Sequence, residues 1–104
     1  MVALLQGGRA CTCGVVLAEL LAGARNDRDR QRIDTMFRGL PYLELNRASW
    51  LAAGALAANL RGQGVTLPLA DVLIASAALE HGCHVYTMDM HFQSVPGLTL
   101  YQAA

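Results

Sequence analysis

The sequence predicts an α/β fold, a mostly parallel sheet with helices on both faces, built as one domain. Short apolar runs with strand character alternate with helical segments along the 104 residues, the pattern of a chain that builds βα units. Gly and Pro punctuate those segments at Gly23, Gly39, Pro41, Gly62, Gly64, Pro68 and Gly82, where turns and helix ends need them. Hydrophobic residues make up 54% of the chain and charged residues 15%, which supports a buried core and argues against disorder. At this size the loss of a single element is costly.

Residues 10–13 read as a short strand and 15–24 as a helix stopped near Gly23. That helix is apolar on nearly every face, which predicts burial. Residues 27–38 form a charged helix, with Asp29 spaced to meet Arg32 and Asp34 to meet Arg38 on an exposed face. Residues 41–45 alternate like a strand, and 47–61 form an Ala-rich helix organised around Trp50, Leu51, Leu56 and Leu60. Pro68 opens a helix that runs to Gly82, followed by strands at 84–87 and 98–101. Met1 to Gln6 reads as the tail of a helix that leads through Gly7-Gly8 into the first strand.

Formal net charge is zero, so the chain lacks the global electrostatic footprint of a dedicated nucleic-acid binder. Any nucleic acid must be held locally, by Arg and by metal. Three Cys residues, two of them close together as Cys11 and Cys13, point to a reduced, cytoplasmic compartment and no disulfide. The apolar runs fall short of the roughly 20 residues of a membrane helix, and Met1–Leu5 lacks the features of a signal peptide. A soluble protein without membrane partners is the expectation.

Three of the eight acids stand apart. Asp71 heads the apolar helix in Leu67-Pro68-Leu69-Ala70-Asp71-Val72-Leu73-Ile74-Ala75, where it is either a cap or a ligand. Asp89 follows the run Val85-Tyr86-Thr87-Met88, at the carboxyl end of a strand, where open α/β sheets keep their sites. Glu19 lies in Val15-Val16-Leu17-Ala18-Glu19-Leu20-Leu21-Ala22, where an unpaired buried carboxylate would cost several kcal/mol. The others read as solvated: Asp27, Asp29 and Asp34 sit among Arg residues, Glu44 alternates outward, and Glu80 lies in a polar helix end. All eight basic residues are Arg, so no Lys is present to neutralise three converging acids. Carboxylate oxygens then suit Mg²⁺ or Mn²⁺, whereas zinc prefers His and Cys.

Val16-Leu17-Ala18-Glu19-Leu20-Leu21-Ala22-Gly23, Ala70-Asp71-Val72-Leu73-Ile74-Ala75, Gly82 and Thr87-Met88-Asp89-Met90-His91-Phe92 together resemble the PIN-domain ribonucleases, above all toxins of the VapC type. The likeness spans about residues 10–101. It implies a three-layer α/β/α sandwich, metal-dependent hydrolysis of RNA, a homodimer and a cognate antitoxin. By this resemblance Glu19, Asp71 and Asp89 map onto three of the family's four acidic positions. His91-Phe92 resembles a family pair that packs and anchors a loop.

The family opens with a strand ending in an Asp-Thr-Ser-like motif, which this chain does not contain. The resemblance therefore implies that the first acidic ligand is missing, along with a central strand between 10–13 and 84–87. In this reading Glu19, Asp71 and Asp89 hold one or two Mg²⁺ or Mn²⁺ ions for in-line phosphodiester hydrolysis. Thr87 hydrogen-bonds a carboxylate or a metal water, or is simply a strand residue. Arg25 meets RNA phosphates, or is a solvated neighbour of Asp27 and Asp29. The alternative is a catalytically inactive PIN domain that binds antitoxin or dimerises. Cys11, Cys13, Cys83 and His84 lack the spacing of a zinc site, and a phosphoacceptor domain of the kind that needs a Lys is excluded.

Overall fold

The computed structural model describes residues 2–87 and 90–100. Five segments make a sheet and its helical cover in chain order: β1 (Val2–Gln6), β2 (Arg9–Cys13), α1 (Gly14–Ala22), α2 (Asp27–Arg38) and β3 (Tyr42–Leu43). They are followed by α3 (Arg47–Gly62), α4 (Leu69–His81), β4 (His84–Thr87) and a 3₁₀ turn at Met90–Ser94. The sheet order is β3-β2-β1-β4. β2 and β3 are parallel, while β1 is antiparallel to both β2 and β4. It follows that β2, β3 and β4 share one direction and β1 alone runs against them.

The expectation for Met1–Gln6 is corrected here. Residues 2–6 are a strand and not a helix tail, and that strand occupies the slot between β2 and β4 where a missing central strand was expected. Gly7 and Gly8 explain it. Both have positive φ, 59° and 80°, the pair of left-handed residues that a two-residue hairpin turn requires and that Gly adopts without strain. With Gln6 paired to Arg9 across the turn, β1 folds straight back onto β2. Leu4 then lies between Cys11 and Val85 in register, and all three are buried, with Leu4 and Val85 at 0% exposure.

Successive residues Cys11, Thr12 and Cys13 are all buried. Since neighbouring side chains of a strand point to opposite faces, both faces of β2 are covered at that end, as an α/β/α arrangement demands. The thiols of Cys11 and Cys83 lie 3.9 Å apart, and all three cysteines are free and buried. Beyond β4 the expected strand at 98–101 is reduced to a single parallel bridge between Val85 and Leu100, with residue 101 outside the described residues.

The helices begin and end where local chemistry places them. Asn46 and Ser49 form a reciprocal capping box at the start of α3, and Gly82 at φ 66° closes α4. α3 buries Ser49, Ala53 and Leu60, a stripe at helical spacing that lies against α4. Trp50 and Leu51, two of the residues around which this helix was expected to be organised, fall off that stripe and are 48% and 66% exposed. On α2 the Asp34–Arg38 pair forms, at 2.8 Å. Arg30 pairs with Asp27 in place of the expected Asp29–Arg32 contact.

Candidate functional site

β2 runs directly into α1 at Gly14, and the parallel neighbour β3 ends at Leu43. The carboxyl ends of these two strands therefore open onto one edge of the sheet, where α/β folds place their ligands. Glu19 stands one and a half turns along α1. It is exposed, which corrects the expectation of a buried acid: of the helix only Val16 is fully buried, because α1 packs on α2 and α4 through one stripe and leaves the remainder open.

Glu19 forms part of the wall of two clefts. The first, of about 380 Å³, lies between α1 and the segment that joins β3 to α3, and includes Tyr42, Glu44 and Trp50. The second, of about 530 Å³, lies between α1 and α2, and includes Arg25, Arg32 and Met36. Arg25 is thus exposed at the head of the α1–α2 turn, on the same cleft as Glu19. The first cleft was not anticipated: Glu44 faces solvent as expected, and it lines this cleft together with Trp50.

The walls of the first cleft are held by specific contacts. The Trp50 backbone N–H donates to the Asn46 carbonyl at 3.2 Å, continuing the capping box that sets the start of α3. His81 Nε2 lies 3.3 Å from the Glu44 carbonyl oxygen, tying the end of α4 to the residue after β3. His81 also meets Glu80 at 3.0 Å.

Asp71 occupies the first turn of α4 as its only acid there and is half-buried. Pro68 is the N-cap residue and offers no side-chain cap, so Asp71 sits inside the helix, where its charge favours the helix N-terminus. α1 and α4 pack on one another, which puts Glu19 and Asp71 on neighbouring helices, although Asp71 does not line either cleft that Glu19 faces. Thr87 ends β4, half-buried and in register with Val2. Asp89 lies outside the described residues. Among the described residues no three His, Cys, Asp or Glu side chains gather as a metal site. Phe92 is buried at 1% exposure, in keeping with a packing role.

Burial pushes the Cys11 thiol up to about 12, helped by Cys83 and Cys13 alongside, and burial likewise raises Cys83. Thiols held neutral in this way are poor metal ligands and poor nucleophiles.

Comparison with known proteins places this architecture. Two solved structures share the fold: VapBC-1 from nontypeable Haemophilus influenzae, with a TM-score of 0.79 and 25% identity over 93% of this chain and 76% of that one, and VapBC2 from Rickettsia felis bound to a promoter DNA fragment. The second gives a TM-score of 0.75 at 25% identity, over 86% of this chain and 70% of that one. In sequence, the chain is 30% identical over 101 residues to the ribonuclease VapC11 of Mycobacterium tuberculosis and to a VapC ribonuclease of Mycobacterium bovis, covering 95% of this chain and 75% of each relative. Residues 1–98 match the PIN domain, and the chain belongs to that family.

Proposed function

We propose that the chain is an endoribonuclease and the toxin of a toxin–antitoxin pair. The observation that carries this reading is likeness to VapC ribonucleases along 95% of the chain, in a fold where Glu19 lines two open clefts, one beside the end of β3 and one between α1 and α2. The donor set is all carboxylate, which fits Mg²⁺ or Mn²⁺. Glu19, Asp71 and Asp89 would hold the ion, which when bound supplies a polarised water and charge neutralisation at the phosphate. Arg25 and Arg32 attract the phosphodiester backbone to the cleft between α1 and α2, and Thr87 supports the carboxylates by hydrogen bonding. The partner is an antitoxin, in line with the two VapBC complexes. We propose a homodimer working in the cytoplasm, where three free thiols persist.

The test is RNA cleavage by the purified chain with EDTA, and then with Mg²⁺ or Mn²⁺ restored. Metal-dependent cleavage lost in Glu19→Gln supports the reading. The second reading, a catalytically inactive PIN domain that keeps only its protein contacts, is favoured by one observation: β1 fills the central slot with apolar residues and supplies no carboxylate of its own. Absence of both cleavage and saturable Mn²⁺ binding would decide for it.

A further inference from the structure

The cleft between α1 and the β3–α3 connection carries two carboxylates, Glu19 and Glu44, and no Arg or His in its wall. Phosphate is repelled there. Two aromatic rings, Tyr42 and Trp50, stand 49% and 48% exposed, while Val15 and Leu45 supply an apolar wall. The volume, about 380 Å³, lies in the range of small-ligand pockets. A ligand that suits these surfaces is flat, neutral and rich in N–H donors. An unstacked nucleobase has that character, because single-stranded RNA is bound by stacking its bases on aromatic side chains.

We propose that this cleft is a base-binding subsite selective for guanine, with Trp50 and Tyr42 as stacking surfaces and the Glu44 carboxylate as the reader. A carboxylate only accepts hydrogen bonds. Guanine alone presents two adjacent donors, N1–H and the 2-amino group, on its Watson–Crick edge, matching the two oxygens of one carboxylate. Adenine, cytosine and uracil each place an acceptor there, which a carboxylate opposes. Glu44 is well placed for the task because its backbone is tied to His81 on α4. Glu19 lies at the junction with the neighbouring cleft that bears Arg25 and Arg32, so a strand crossing it leaves its base on one side and its backbone on the other. The RNA context rests on the ribonuclease reading; the guanine contact does not.

The chain has one Trp, so its fluorescence reports on this cleft directly. Guanosine, adenosine, cytidine and uridine are titrated separately into the full chain in EDTA. Guanosine should quench saturably and bind at least about tenfold more tightly than the other three, the lower end of what one two-pronged contact discriminates. Glu44→Gln replaces an acceptor oxygen with a donor on an exposed side chain, and should lose that preference with the fold intact by circular dichroism. Tyr42→Ala should weaken all four nucleosides. Equal binding of the four, no saturable quenching, or an unchanged guanosine preference in Glu44→Gln would each overturn the proposal. RNA cleavage without guanosine binding removes the subsite and leaves the nuclease; guanosine binding without cleavage does the reverse.

Discussion

A Cβ added at Gly14 would stand 2.9 Å from the hydroxyl oxygen of Tyr42. The first residue of α1 and the first residue of β3 are thus in direct contact, and Gly14 leaves room for the phenol at the mouth of the first cleft. Gly14→Ala must move Tyr42, the far end of a flexible side chain. Crowding costs about 1–3 kcal/mol at a tightly packed site and less here, against a helix gain of about 1 kcal/mol for Ala over Gly. Thermal melting should show a net change under about 1 kcal/mol, while guanosine affinity from Trp50 fluorescence falls several-fold.

Glu19→Gln, Asp71→Asn and Asp89→Asn should each reduce RNA cleavage by about 100-fold, the scale of losing preorganised charge at a reacting phosphate. Glu19 is exposed, so its substitution should change stability by no more than about 0.5 kcal/mol. Asp71→Asn should cost about 0.3–1 kcal/mol through the helix terminus. Asp27→Asn, in the first turn of α2 and outside both clefts, should cleave within about threefold of the parent. Parent-like cleavage by Asp71→Asn with an unchanged circular dichroism spectrum would remove it from the site.

Leu4→Ala tests the central position of β1. Leu4 has 0% exposure and is in register with Cys11 and Val85, so truncation should cost about 2–5 kcal/mol. That is a large share of the roughly 5–15 kcal/mol that holds a small domain. Urea unfolding should show a midpoint shifted far down. A shift under about 0.5 kcal/mol would mean that residues 2–6 lie outside the core.

The cysteines give the chain a pH signature. Cys11 keeps its proton in the fold up to about 12, against an ordinary value of 9.0, so the unfolded chain loses that proton first as pH rises. Stability is therefore full below pH 9 and declines as pH climbs from there toward 12. Cys11→Ala should flatten that decline in melts run across this range. At neutral pH, alkylating reagents should label the native chain slowly and the urea-unfolded chain fast.

Helix boundaries were largely legible in the sequence because caps act within a few residues: Pro68 and Gly82 bracket α4, and Asn46 starts α3. The Asp34–Arg38 pair was legible for the same reason. Residues 2–6 had a local signal that the helix-tail expectation passed over: the Gly7-Gly8 pair marks a tight hairpin, and the strand it folds back pairs with β2 and β4 on its two sides. The other differences depended on distance. The 47–61 helix was expected to be organised around Trp50, Leu51, Leu56 and Leu60, yet Ala53 and Leu60 belong to the face that is buried. Glu44 is exposed, as its outward alternation predicted; what the sequence could not show is that it shares the first cleft with Glu19, 25 positions upstream, a separation no local pattern bridges. The signal that was available is its place just after a strand, at the edge where parallel strands end.

The reversed sense of β1 bears on how this sheet can be re-engineered. At the edge where β2, β3 and β4 finish, β1 begins, and register sets position 2 beside Thr87. β1 therefore presents its amino end at that edge, beside the carboxyl ends of its neighbours. A carboxylate built at position 2 would enter from the amino end of its strand, reaching the same edge by the opposite route.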